Sequence, residues 1–96
     1  MKIYKLYTEN KNRRFIEQMC NEEFDGFTVY ETTGYWAGQK ERSLVIEVLS
    51  SSAAIPVKLA KIAKAICGYN KQDTVLVSEQ EVEACLYGVS GYLYKL

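Results

Sequence analysis

The run from Ser43 to Leu49 (SLVIEVL) constrains the fold more than any other stretch of the chain. Side chains alternate across a β-strand, so Leu44, Ile46 and Val48 go to one face while Val45 and Leu49 go to the other. A strand that is apolar on both faces belongs near the centre of a sheet, or its second face meets a partner. The rest of the chain must supply that strand's neighbours.

The candidates are easily placed. Ile3 to Thr8 alternates bulky and polar residues and reads as a first strand. From Arg13 to Glu23, Phe15, Ile16, Met19 and Cys20 make the apolar stripe of a three-turn helix, capped by Asn10 or Asn12 and ended at Asp25-Gly26. Phe27 to Trp36 is rich in β-branched and aromatic residues, and pairs with Ser43 to Leu49 as a hairpin across a short polar loop. Ser50 to Ser52 supply turn and cap residues, Pro56 suits a first helical turn, and Ile55, Leu59, Ile62 and Ile66 form a core stripe. Gly68 is the natural helix stop near Asn70, and Thr74 to Val77 reads as a fourth strand. Glu79 to Glu83 is polar, and the tyrosine-rich tail around Gly88 and Gly91 is either a small hairpin or an arm onto a neighbouring subunit.

Strand, helix, strand, strand, helix, strand is the order of the ferredoxin-like fold. The expected class is α+β, a four-stranded antiparallel sheet with two helices on one face and a short extension at residues 84–96. At 96 residues the chain is expected to form one domain over residues 1–96. The uncovered sheet face would hold Val45, Leu49 and several tyrosines and threonines, which is too apolar to be left wet, so a homo-oligomer is expected.

Composition removes several classes of function. Lysine plus arginine equals aspartate plus glutamate at 12 each, so no net field draws the chain to DNA, RNA or an acidic membrane. Any anionic ligand must then be held by local groups. No apolar run approaches the roughly 18 residues of a membrane span, and Met1 to Lys5 lacks a signal-peptide pattern, so a cytoplasmic protein is expected. The absence of histidine removes the commonest general base and transition-metal ligand, which argues against a serine or cysteine triad. Cys20, Cys67 and Cys85 lack the spacing of a zinc site or a disulfide framework and read as small packing residues.

Chemistry concentrates between Thr33 and Ser43. Trp36 beside Tyr35 suits stacking on a nucleobase, or packing in a subunit interface. Gly34 and Gly38 allow close approach of a ligand to the main chain, or serve turn geometry alone. Thr33, Gln39, Lys40, Arg42 and Ser43 offer donors for phosphate or carboxylate, against the plainer reading of a solvated hairpin tip. Glu41, Glu47 and Glu31 could share a face and hold a divalent metal or sugar hydroxyls, or pair across strands with Lys40 or Arg42. Lys58, Lys61 and Lys64 form a basic strip or a solvated helix face. Asn70 and Gln72 either serve a site near the sheet end or cap a loop, and Tyr87, Tyr92 and Tyr94 read as a sticky C-terminal interface.

The segment Tyr35-Trp36-Ala37-Gly38-Gln39 with Glu41 downstream resembles the hairpin motif of the CutA family, and the whole element order is similar to CutA and the PII signalling proteins. Both families are trimeric, and PII proteins bind adenine nucleotides between subunits near the base of the loop joining strands two and three. The resemblance therefore implies an inter-subunit anion or nucleotide site within Thr33 to Ser43. More loosely, a small, neutral, tyrosine-rich and histidine-free domain resembles phage accessory proteins that sequester nucleotide immune signals without cleaving them. The expected function is a non-enzymatic, oligomeric binder of a small nucleotide-like ligand, with no cofactor and no resident metal, acting in the host cytoplasm if phage-encoded. Its expected site is Thr33, Gly34, Tyr35, Trp36, Gly38, Gln39, Lys40, Glu41, Arg42, Ser43 and Gln72, with the aromatics on the base and Arg42, Lys40 and Ser43 on phosphate. The alternative is a PII- or CutA-like regulator sensing a metabolite or metal and acting through a protein partner. A small phosphoester-directed enzyme would need Glu41 as base or a carboxylate-held metal.

Overall fold

A computed structural model describes residues 1–96. Its elements are β1 (Lys2–Glu9), α1 (Arg13–Glu23), β2 (Thr28–Trp36), β3 (Gln39–Ser50), α2 (Ile55–Asn70), β4 (Leu76–Glu81), β5 (Cys85–Gly88) and β6 (Gly91–Lys95). The first four strands form an antiparallel sheet in the order β2-β3-β1-β4, and β5 and β6 form a separate hairpin. This α+β arrangement is consistent with a ferredoxin-like fold.

As its two apolar faces require, β3 is an inner strand. Leu44, Ile46 and Val48 stand opposite Thr8, Leu6 and Tyr4 of β1, and this face meets Ile16 and Cys20 of α1 and Ile55, Leu59, Ile62 and Ile66 of α2. Both helices therefore lie on one side of the sheet. Burying each of these aliphatic side chains is worth about 1.5–3 kcal/mol. On the other side Val45 sits between Tyr30 and Tyr7, with Leu76 beside Tyr7. Val45 in that row is itself buried, whereas Leu76 and Leu49 are exposed.

The helices are tied to each other by side chains as well as by the core. Phe15 and Tyr69 stack with ring centroids 3.9 Å apart. Lys58 donates to the Glu23 carbonyl at 3.0 Å, and Lys61 pairs with the Glu23 carboxylate at 2.6 Å. That pairing holds the Glu23 carboxyl below its usual range, the hydrogen bond from Lys61 being the main cause. Two of the three lysines of the expected basic strip thus serve helix packing.

Four boundaries differ from expectation. The polar loop before β3 is only a two-residue turn, Ala37-Gly38, with φ of 50° and 79°. Positive φ at both central residues is the turn that matches strand twist in a tight hairpin, so Gln39 to Arg42 belong to the strand. Gly68 does not stop α2; it lies inside the helix, and Lys71 makes the left-handed cap with φ of 56°. The amides of Lys71 and Gln72 both close on the Cys67 carbonyl, which satisfies a helix-end acceptor that would otherwise be orphaned. At the start of α1, Asn12 takes a left-handed backbone and makes no side-chain cap. Finally, β4 starts later than Thr74 and takes in Glu79 and Glu81. As an edge strand, exposed along its length, it does not need an alternating pattern. The tail forms the small hairpin, and its Cys85 is exposed rather than packed. No helix is long and apolar enough to cross a membrane.

Candidate functional site

The β2–β3 hairpin is longer than the strand beside it. β1 ends at Glu9 opposite Ser43, whereas the hairpin ladder runs on from Thr33–Arg42 to Trp36–Gln39. On its other side β1 loses β4 even earlier, since Tyr7–Leu76 is their last pair. The overhanging hairpin and the α2–β4 connection therefore stand as two walls around the end of β1. Between them lies an open groove of about 840 Å³. Thr32 to Trp36 with Glu41 and Ser43 line the hairpin wall, Lys71 to Thr74 the opposite wall, and Tyr7, Thr8, Glu9 and Lys11 the floor between.

A polar cluster fixes the second wall. The Asn70 side chain, 1% exposed, donates to the Lys11 carbonyl at 3.1 Å and to Gln72 Oε1 at 3.1 Å, and accepts from Asn12 Nδ2 at 2.8 Å. Lys11 Nζ returns to the Asn70 carbonyl at 3.0 Å, and the Thr8 hydroxyl donates to Gln72 Oε1 at 3.2 Å. Asn70 thus joins the start of α1 to the end of α2, and Gln72 carries the link on to the end of β1. Every polar atom of a buried Asn is costly to leave unmet, and here they are met.

On the hairpin wall the pleat sorts the expected site residues into two sets. Gly34, Trp36, Gln39, Glu41 and Ser43 share the open sheet face with Val45, whereas Thr33, Tyr35, Lys40 and Arg42 share the helix side with Leu44. Lys40, Arg42, Gln39 and Gly38 do not line the groove; Thr33, Gly34, Tyr35, Trp36, Glu41, Ser43 and Gln72 do. The grouping of Arg42, Lys40 and Ser43 about one phosphate is therefore not what the strand geometry gives. Lys11 and Lys71 are the groove's cations, and the left-handed cap at Lys71 was the feature that the sequence left unmarked.

Gly34 is where the site is most specific. A Cβ placed there would lie 2.7 Å from Ser43 Oγ and 3.6 Å from Glu41 Cγ and Oε1. Without it, the Ser43 hydroxyl and the Glu41 side chain keep their places on the groove wall. Trp36, two residues along on the same face, is 76% exposed, and Tyr35 on the reverse face is 70% exposed. Such aromatic faces can stack on a planar ring.

The expected carboxylate triad does not form. Glu31 lies on the helix side, bound to Arg13 at 3.1 Å and Asn10 at 3.4 Å. Glu47 is on the open face but is engaged by Lys5 at 4.0 Å and by the Tyr30 hydroxyl at 3.4 Å. Burial, with the Glu47 carboxylate beside it, raises the Tyr30 phenol above its ordinary pKa. Neither Lys40 nor Arg42 pairs with Glu41. No group of three or more His, Cys, Asp or Glu side chains is placed to hold a metal. A second, smaller cleft of about 240 Å³ between α2 and β4 is lined by Tyr4, Pro56, Leu59 and Val77 and is largely apolar.

The chain matches no family profile and no curated protein. Solved structures are similar to it in fold. A DUF3240 family protein from Shewanella baltica superposes with a TM-score of 0.69 at 16% identity, covering 84% of this chain and 88% of that one. A phage SAM lyase in complex with S-methyl-5'-thioadenosine gives 0.63 at 15% identity, covering 83% and 80%. CPII, a nitrogen regulatory PII-like protein from Thiomonas intermedia bound to ADP, AMP and bicarbonate, gives 0.58 at 10% identity, covering 84% and 88%. The resemblance to PII proteins thus holds at the level of the fold.

Proposed function

We propose that the chain binds a small nucleotide-like ligand carrying adenine in the groove at the end of β1, as a homo-oligomer, and holds it intact. The observation that carries this reading is the missing Cβ at Gly34, which would otherwise press on the Ser43 hydroxyl and reach the Glu41 carboxylate, two residues from an exposed indole. Trp36 offers a face for the base; Ser43, Glu41 and Gln72 offer groups for its edge or for sugar hydroxyls. The fold neighbours support the choice of ligand, since ADP, AMP and S-methyl-5'-thioadenosine share an adenine and a ribose ring. In a phage-infected cell such a protein would sequester a cyclic nucleotide immune signal in the host cytoplasm.

The test is a titration of the full chain with adenine nucleotides, linear and cyclic, followed by Trp36 fluorescence. Binding should quench the emission, a hundredfold excess over Kd should add about 2.7 kcal/mol of stability, and chromatography should return the ligand unchanged. Trp36→Ala should weaken binding by roughly 1–3 kcal/mol, the range for one base–aromatic stack, without lowering the melting temperature. Equal affinity in wild type and variant would remove Trp36 from the site.

A second reading has the chain break its ligand. Glu41 supplies a carboxylate with no ion-pair partner on the groove wall, and a phage SAM lyase is among the fold neighbours. Recovery of a cleaved nucleoside in the same chromatogram, lost in Glu41→Gln, would favour it over sequestration.

A further inference from the structure

We propose that the β5–β6 hairpin of one copy docks its Tyr87–Tyr92 face into the cleft between α2 and β4 of a second copy, each copy giving one hairpin and receiving one. This rests on the homo-oligomer of the reading above and supplies its contact. The hairpin is a sheet of its own, joined to β4 by Val82, Glu83 and Ala84. A two-stranded ribbon is marginal in water unless it packs on something, and this one leaves Tyr87, Tyr92, Leu93 and Tyr94 more than half exposed. Its two faces differ. On one, Leu93 folds over Gly88, where a Cβ would stand 3.3 Å from Leu93 Cδ1, so the hairpin partly closes that face itself. On the other, Tyr87 meets Tyr92 edge to face, and both rings stay open to solvent.

The cleft fits such a face. At about 240 Å³ it lies below the roughly 300–1,000 Å³ of small-molecule sites, so it suits a side chain rather than a ligand. Tyr4, Leu59, Ala60 and Val77 give it apolar walls. Val57, exposed one turn before Ala60 on α2, extends that surface outward. The one charged residue of the lining, Glu79, is exposed and already paired with Lys2 at 3.3 Å. A tyrosine ring therefore finds an apolar seat and its hydroxyl a carboxylate to donate to, the combination that makes tyrosine an interface anchor. Residues 84–96 carry no acidic side chain that Glu79 would repel, and none of them lines the cleft of its own chain. At their exposures Tyr87 and Tyr92 offer about 250 Å², counting about 200 Å² for a whole tyrosine. A specific interface takes roughly 800 Å² from each side, so one docked hairpin is too little to hold two copies. Reciprocal docking about doubles the contact and closes the assembly.

Sedimentation equilibrium of the full chain should give more than one chain's mass. Ala60→Arg, at an exposed helical position, should return it to the mass of a single chain, as should Tyr87→Ala combined with Tyr92→Ala. The tyrosine variant also loosens the hairpin, so the landing place is read separately by cross-linking. The exposed Cys85 shares the face of Tyr87. In Ala60→Cys a short bis-maleimide should join position 60 of one copy to Cys85 of another, giving on a denaturing gel a product of twice the chain's mass that Cys85→Ser abolishes. A cross-link confined to one chain, one formed between two copies of Cys85 in the wild type, or an Ala60→Arg variant that keeps the wild-type mass each overturns the docking. The second and third of these leave the homo-oligomer standing. A wild type that sediments as a single chain removes the homo-oligomer itself, and this proposal with it, while the nucleotide titration still judges the groove.

Discussion

Among single residues, Gly34 matters most to the proposed site and Asn70 to the fold. Gly34→Ala would place a carbon 2.7 Å from Ser43 Oγ, closer than real contacts allow. The Ser43 side chain can turn away, so the variant should keep nearly its full melting temperature while ligand affinity in the titration falls about tenfold or more. Asn70→Ala should behave in the opposite way: with Asn12, Lys11 and Gln72 deprived of their common partner, denaturant melts should show a loss of about 2–4 kcal/mol. Cys20 adds a dependence on pH. Burial pushes its thiol from 9.0 up to about 11, so the fold favours the neutral form. That contribution is complete below pH 9 and is lost as pH rises towards 11. Urea melts across this range should steepen their decline in wild type relative to Cys20→Ala, the control for tyrosines and lysines that titrate alongside. The sequence displayed the chemistry of Trp36, Glu41 and Ser43 but not the faces they occupy. A strand's facing is set by register, and register here hangs on a turn of two residues where a longer loop was expected.

Elements were legible where an apolar period spans several turns. α1 runs over the expected Arg13–Glu23 because its stripe fixes both the helix and its buried side. The end of α2 was missed because glycine is the usual left-handed cap, and here Lys71 adopts that backbone one turn later than Gly68 suggests. Two gains in stability follow from this. Gly68 is exposed, helical, and has room for a Cβ, so Gly68→Ala should add about 0.5–1 kcal/mol in thermal or denaturant melts. Lys71→Gly should also stabilise, by relieving a side chain held at φ of 56°. β4 was displaced in the sequence reading for the reason that makes it an edge: one hydrogen-bonded neighbour and exposure along its length leave its composition unconstrained.

The whole molecule is elongated, 46 × 26 × 23 Å, with a hairpin at its C-terminal end that carries exposed Tyr87, Tyr92, Leu93 and Tyr94. A two-stranded hairpin is marginal in water without a surface to pack on. Within it Tyr87 and Tyr92 meet edge to face at 5.7 Å, which adds little against that exposure. Ending the chain at Ala84 should leave the melting transition of the sheet and helices in place but shift sedimentation equilibrium to a lower mass than the full chain gives. An unchanged mass would assign association to the uncovered sheet face around Val45 instead. The βαββαβ order was legible because each element declares itself locally; what covers the sheet's second face was not, since no residue in the chain answers to it. The Ala37-Gly38 turn lies beyond both walls of the groove, and its glycine faces empty space. It is accordingly a splice point, where a reporter or a lengthened loop can be grafted at the rim of the groove while the strands that build that rim keep their register.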